Sequence, residues 1–570
     1  MHARAPQSSR RDRTLAAWPV LLALLLTGLV YRDVGRYGFI NYDDPVYVSD
    51  NPQVTGGLSP AALGWAFTTG HAGVWVPATW VSLQADASLA GPGPAGFHRT
   101  NLLLHLLNVV LVFLLARRLC GSAAASGVVA ALFGVHPVNV EAVAWVTARK
   151  DLLMAAFLLG AVLVALAAAD ARRRATAGVL AALAMLAKPA AVVAGPLLLL
   201  VVRSLSWRPN APRRGWKPDL AWTAGLLAIA AAVSLAALKL APGEDLAARF
   251  RKPVAVRAGE ALVGVFRYLH RLAWPTHLTV RYPDAAVTTT LVPALLAGAA
   301  LIALTYAAYR WRRRAPLVAL GWGWFLLCLL PSLGLVQGGQ LPLADRYAYV
   351  AGIGVWLLLA GAALQVAAGR RALQAAALAI GVVACAGATI GSVRQVATWR
   401  DDGAFWQHAL AVNPDSELAH VNLGLHLDAQ HKPAEALPHL EAALALVPRG
   451  DTHYDAGNVC VELGRAADAE RHFRSALQLK PELVEASLNL GALLAQQGRL
   501  DDARLVLLAA EERRPDVASL QYNLALIASL QGDAADAQDR CRRALKLDPA
   551  HAGARELLAG ISAQTRTTSP

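Results

Sequence analysis

The chain has 570 residues, 56% of them hydrophobic and only 16% charged, against about 25% charge in an ordinary soluble domain. This excludes a mainly soluble, disordered or fibrous protein. The net charge of +14 hides an asymmetry: residues 1–400 hold 37 Lys/Arg against 15 Asp/Glu, residues 401–570 hold 16 against 24. A basic first part points to membrane or nucleic acid. Its long apolar runs decide for membrane, and no nucleic-acid partner is expected. The acidic second part reads as a separate water-soluble module.

In chain order, apolar runs long enough to cross a bilayer lie at 15–31, 100–119, 124–147, 152–169, 176–202, 220–241, 287–309, 316–336, 347–366 and 372–391. The first follows Arg10, Arg11 and Arg13 like a signal peptide. Tyr31-Arg32-Asp33 comes next instead of a small-residue cleavage site, so it reads as an uncleaved anchor. Lys/Arg-rich short loops mark the cytoplasmic side. If 176–202 breaks at Lys188-Pro189 into two short helices, and 257–275 lies on the membrane as an amphipathic helix, every major basic cluster falls inside. This predicts eleven spans. A rival arrangement, with 176–202 whole and 257–275 spanning, also has eleven but leaves the basic loop 203–217 outside. Both place the loops 32–99 and 337–347 and the C-terminal module outside.

The second part repeats. Pro414, Pro448, Pro481, Pro515 and Pro549 are spaced by 34, 33, 34 and 34 residues, with Ala436, Ala469, Ala503 and Ala537 in step. Gly464, Gly498 and Gly532 fall between predicted helices. This is the tetratricopeptide period. Four repeats over 417–551 predict a short superhelix with a concave binding face. The expected organisation is a membrane domain over 1–398, a connector over 399–416, the repeats, and a tail over 552–570. The fold class is all-α: a polytopic helix bundle followed by an α-solenoid.

Chemistry is sought where polar residues meet the membrane. Asn41-Tyr42-Asp43-Asp44-Pro45 sets two carboxylates shortly after the first span. One carboxylate suits a general base at an alcohol; the pair equally suits an Asx turn before Pro45. Trp65, Trp75, Trp80, Phe67 and Phe97 in the same loop fit short interfacial helices at 59–69 and 77–90. His98, Asn101, His105 and Asn108 share one helix face. His136 and Glu141 lie within the third run, and Asp151 follows Arg149-Lys150. Polar residues inside membrane segments are functional candidates by default, with interhelical hydrogen bonding as the alternative. Arg149, Lys150, Lys188 and Arg346 map to outer membrane edges, where cations suit a phosphate ester or snorkel at the interface. Five widely spaced cysteines form no CxxC or Cys/His pattern, so neither a metal site nor a disulfide framework is expected.

The segments FINYDDPVYVSDNPQV (39–54), FHRTNLLLHLLNVVLVFLL (97–115), HPVNVEAVAWVTARKDLL (136–153) and LADRYAYV (343–350) stand in order before the repeats. Together they resemble the transmembrane-and-tetratricopeptide protein O-mannosyltransferase family and its bacterial relatives, over nearly the whole chain. The resemblance implies a GT-C fold and transfer of a hexose from a polyprenyl- or dolichyl-phosphate donor. It implies Asp43 as catalytic base, with Asp44 as second choice, and inversion at the anomeric carbon. Arg149, Lys150, Lys188 and Arg346 would stabilise the leaving lipid phosphate, and Asp345, Arg346 and Tyr347 match the family's late outer motif. Asn139 stands where many relatives carry a second histidine.

The expectation is therefore an integral membrane glycosyltransferase of a bacterial inner membrane, facing the periplasm. The repeats would bind protein acceptor segments, and no cofactor is expected beyond the lipid-linked sugar donor. The alternatives are a non-enzymatic membrane scaffold recruiting envelope proteins, and a transferase acting on a glycan or lipid.

Overall fold

The computed structural model describes residues 10–167, 170–207, 215–241, 252–283, 288–335 and 343–567. Much of the basic loop 203–217 and most of the loop 337–347 lie outside them, as do the ends of the tail and of the run 152–169. Among the described residues the regular structure is helical, without strands. The chain divides into two compact units, Met1–Asn413 and Pro414–Pro570.

In the first unit, eight helices are long and apolar enough to span a membrane, because an unbroken helix satisfies its backbone internally where no water can. A ninth is formed if Ala123–Val135 and Pro137–Ala144, bent by 51° at His136, are one span. The remaining two of the eleven expected segments are helical but do not meet that test. Ala171–Ala187 opens on three arginines, and Pro316–Ser332 is short. The count of eleven is therefore not reached by length and apolarity. Both breaks have the same cause. His136 and Lys188 precede prolines and are extended (ψ 131° and 126°), since a residue before proline is pushed out of the helical region.

The loop after the first helix folds into short helices. Pro60–Thr68 is capped by Ser59, whose hydroxyl accepts from the Ala62 amide as N-cap residues do. Pro77–Ala90 follows. Trp80, Tyr47, Leu83 and Phe97 bury together with Val146, so this loop packs onto the segment leading into helix Arg149–Ala167. Val254–Ala273 is amphipathic, burying Ala261, Val265, Tyr268 and Leu272 on one face. Helices Pro316–Leu329 and Ala348–Val366 touch backbone to backbone. A Cβ on Gly321 would stand 2.4 Å from the Gly354 carbonyl, and one on Gly354 equally close to Gly321; small residues permit this approach.

In the second unit, four antiparallel helix pairs run from Glu417–Ala429 and Pro433–Leu446 to Ala518–Leu530 and Ala534–Leu547, and Ala552–Thr567 follows. Ala436, Ala469, Ala503 and Ala537 are completely buried, as close helix packing requires. The turn within each pair needs a left-handed residue. Gly464, Gly498 and Gly532 supply it with φ of 70°, 75° and 82°. In the first pair His431 occupies that place with φ 59°, a conformation that costs a residue with a Cβ about 1–2 kcal/mol. His431→Gly is expected to stabilise residues 414–570 by about 1 kcal/mol, read by urea unfolding. No gain would show that the turn is relaxed in another way.

The same periodicity exposes a misfit. Asn422, Asn489 and Asn523 occupy one helix position in three pairs, and Asp455 occupies it in the second. Burial, with Asp451 and Asp428 nearby, pushes the Asp455 carboxyl up to about 6. The folded unit then takes up a proton below about pH 6 that the unfolded chain accepts only nearer pH 3.8, so this residue adds stability as pH falls through that window. His472 acts in the opposite direction. Burial lowers it to about 4 while it faces His453, Nδ1 to Nδ1 at 3.0 Å, so its contribution is lost as pH falls below 6.5. Asp455→Asn is expected to stabilise residues 414–570 at pH 7.5 and to make them less stable at pH 5 than at pH 7.5. An unchanged pH profile would refute the assignment.

Candidate active site

The adjacent acids of the first loop separate in the fold. Asp44 is completely buried. Its Oδ1 accepts from the Thr147 amide (3.0 Å) and hydroxyl (2.6 Å), and its Oδ2 from the Ile40 amide (3.0 Å). Burial pushes its carboxyl up to about 6 against the pull of these bonds. Asp44 thus ties the loop to the segment before helix Arg149–Ala167, and its oxygens are occupied. Asp43 is half-buried, and among the described residues its carboxylate takes part in no hydrogen bond or ion pair. Its backbone carbonyl accepts from Tyr47, which opens the short helical turn Pro45–Ser49 and fixes the side chain at its entrance.

Around Asp43 stand aromatic rings and cations. Tyr42 stacks on Trp145 (5.6 Å between centroids) and meets Trp406 edge-on (5.9 Å). Burial and the neighbouring Asp43 push the Tyr42 phenol up, and the same two causes act on Tyr47. Lys150 donates to the Tyr47 hydroxyl at 3.3 Å and lies 4.6 Å from its ring centre. Arg346 sits 5.2 Å from the Trp145 ring and binds Glu141 through its guanidinium and its backbone amide. Lys188 pairs with Asp151 and lies 5.3 Å from the Tyr347 ring. Lys188, Arg346, Asp151 and Tyr347 line one cavity with about 360 Å³ of open space, whose remaining wall includes Met154, Leu158 and Val350.

Of the four cations expected to meet phosphate, Lys188 and Arg346 line this cavity, Lys150 meets Tyr47, and Arg149 does neither. The Arg149 side chain is completely buried. It donates to Asp86 (2.6 Å), Ser82 (2.9 Å), the Phe97 carbonyl (2.8 Å) and Asn101. All three guanidinium nitrogens are consumed in joining helices Pro77–Ala90, Pro94–Cys120 and Arg149–Ala167, which corrects its expected role.

The polar helix face is likewise occupied by packing. His98 donates to the Gly38 carbonyl and Asn101 to the carbonyls of Val143 and Trp145. His105 donates to the Gly134 carbonyl and accepts from Tyr349, and His136 donates to the Leu272 carbonyl. These bonds tie the helix Pro94–Cys120 and the segment at His136 to neighbouring backbone carbonyls. The two Asp345 oxygens share the single O–H of Tyr282 (2.7 and 2.9 Å), with Arg271 stacked on the Tyr282 ring. The turn carrying Arg346 is thus held at Asp345 by Tyr282 and at Arg346 by Glu141. Among the described residues no three His, Cys, Asp or Glu side chains converge in a metal-binding arrangement.

Sequence reading missed Thr147, Trp145, Tyr47, Asp86 and Tyr282. Trp145 and Thr147 lie inside the conspicuous 136–153 segment and were within reach. Tyr282 carries no local signal, since its partner is 63 residues away.

Fold and site define a multi-spanning membrane protein with an appended helical repeat array. Residues 83–236 match the family of dolichyl-phosphate-mannose-protein mannosyltransferases, and residues 454–518 and 518–551 match tetratricopeptide repeats. Protein O-mannosyl-transferase Tmtc1 of Drosophila melanogaster is 35% identical over 134 residues, 22% of this chain and 16% of that protein. Protein O-mannosyl-transferase TMTC1 of Homo sapiens is 32% identical over 161 residues, 26% of this chain and 18% of that protein. The matched part of this chain spans about a sixth of each relative's length. Among solved structures, the tetratricopeptide protein YrrB, described as having an unusual peptide-binding site, is 26% identical with a TM-score of 0.26, over 31% of this chain and 90% of that one. The resemblance drawn from the ordered motifs thus holds: the chain carries a mannosyltransferase-type segment together with tetratricopeptide repeats.

Proposed function

We propose that the membrane unit transfers a hexose, mannose by likeness to its relatives, from a polyprenyl- or dolichyl-phosphate donor to a Ser/Thr hydroxyl of a protein. The observation that carries this reading is the contrast between Asp43, whose carboxylate is not spent in packing, and the cations Lys188 and Arg346, which line a cavity. Asp43 takes the proton of the acceptor hydroxyl as its oxygen attacks the anomeric carbon from the face opposite the phosphate. The new C–O bond forms while the bond to the phosphate oxygen breaks, inverting the centre. Negative charge moves onto the lipid phosphate, and fixed cations stabilise it with little reorganisation. Lys188 keeps two donors beyond its bond to Asp151, and Arg346 keeps nitrogens beyond the one that meets Glu141, so both can serve a phosphate while remaining anchored.

Tyr42, stacked on Trp145, offers a flat wall beside the base for the acceptor segment or the sugar face. The repeats supply an acceptor-binding arm. The reading places the first loop and the repeats on the extracytoplasmic side of a bacterial inner membrane. The test is to reconstitute the full chain in liposomes with polyprenyl-phosphate mannose and Ser/Thr peptides, and to follow sugar on peptide by mass spectrometry. Absence of transfer across peptide, glycan and lipid acceptors would remove the enzymatic reading.

A further inference from the structure

One buried polar atom of a residue that lines the cavity lacks a partner, and the mechanism above does not use it. Asp151 is almost wholly buried, with 2% of its side chain exposed. Its Oδ1 receives Lys188. Its Oδ2 is buried and has no hydrogen-bond donor among the described residues. The residue lines the cavity together with Lys188 and Arg346. A carboxylate oxygen withdrawn from water without a donor is strongly disfavoured. The cavity wall also carries the donors Ser332, Tyr347 and Cys328 beside Met154, Leu158, Val193 and Val350, yet none of them is within hydrogen-bond reach of Oδ2.

The ligand that satisfies this arrangement must place an anion near Lys188 and Arg346 and an O–H near Asp151. A lipid phosphate without sugar brings only acceptors and negative charge, which Asp151 repels. A glycosyl phosphate brings both: its phosphate meets the cations and a sugar hydroxyl donates to the carboxylate. We propose that Asp151 is a sugar-reading residue, accepting a hydroxyl of the hexose on the lipid-linked donor through Oδ2. This deepens the transferase reading and rests on it. One oxygen then selects the loaded donor, and the same charge disfavours the spent lipid phosphate once the sugar has left, which assists product release.

The test uses the full-length protein in nanodiscs with three probes: polyprenyl-phosphate mannose, its monodeoxy analogues, and sugar-free polyprenyl phosphate. Binding is followed by native mass spectrometry. A hydrogen bond to a charged group is worth about 1.5–3 kcal/mol, so Asp151→Ala is expected to weaken the mannose-bearing lipid by roughly 10- to 150-fold. The sugar-free lipid is expected to bind as well or better, because Lys188 is released to it. In the wild type, one monodeoxy analogue is expected to lose the same factor, and in Asp151→Ala that analogue loses nothing further. The wild-type comparison stands even if the variant fails to fold. Equal loss of both lipids in Asp151→Ala, or wild-type binding indifferent to every deoxy position, overturns the proposal. Wild-type protein that shows the hydroxyl dependence yet transfers no sugar would sink the transferase reading and leave the sugar site standing.

Discussion

Replacing Asp43 by Asn is expected to lower sugar transfer by about 10²- to 10⁴-fold, the range over which a positioned general base contributes. The amide is nearly isosteric, and among the described residues the Asp43 carboxylate makes no hydrogen bond or ion pair that the substitution would break. Thermal stability and binding of the lipid-linked donor are therefore expected to stay within a small margin of wild type. Asp44→Asn is expected to behave in the opposite way. One of its two oxygens becomes an NH₂ group, facing either the Ile40 amide or the Thr147 amide and hydroxyl. A donor then meets a donor in a buried position, and stability falls first. The pair of substitutions, measured for turnover and for melting temperature in the same detergent, separates a chemical role from an architectural one. Asp43→Asn with unchanged turnover would transfer the base to another group and leave the scaffold reading as the better account. Loss of activity in Asp44→Asn at wild-type stability would do the same for the assignment between the two neighbours.

The second large effect lies at Arg149, and it is a stability effect. Arg149→Met removes the cation from a buried pair and leaves Asp86, whose side chain is 7% exposed, with the Thr100 hydroxyl at 2.8 Å as its one remaining side-chain donor among the described residues. Breaking a buried ion pair from one side costs about 3–5 kcal/mol. The variant is expected to show strongly reduced yield and melting temperature. Arg149→Met combined with Asp86→Leu is expected to recover much of the loss, because the uncompensated charge disappears with its partner. If Arg149 instead met the lipid phosphate, the single variant would melt normally and bind donor poorly. A stable, weakly binding Arg149→Met would restore it to the cation cluster and reopen the site around it.

The two cases mark where local sequence suffices and where it does not. The all-helical class, the breaks at Pro137 and Pro189, and the short helices Pro60–Thr68 and Pro77–Ala90 follow from interactions within a few residues. Continuous apolar runs satisfy their own backbone, and a residue before proline leaves the helical region. The repeat period is local in the same sense, since each pair buries the same alanines against its own neighbour helix. His431 and Asp455 stand out because the period says what belongs there.

The span count is less local. Ala171–Ala187 and Pro316–Ser332 are helices of intermediate length, and composition alone leaves their depth in the bilayer open. The roles of polar residues are not local at all. Asp43 and Asp44 are adjacent, and contacts 103 residues away, at Thr147, join the local Ile40 amide in occupying one and sparing the other. Arg149 and Lys150 are also adjacent. Asp86, 63 residues back, holds the first, and Tyr47, 103 residues back, meets the second. Neighbouring side chains on a turn or helix start point in different directions, so each meets a different set of partners. Residue chemistry in the sequence determined that carboxylates, cations and aromatics gather near the membrane surface; tertiary packing decided which of them were consumed in holding helices together and which were left for a substrate.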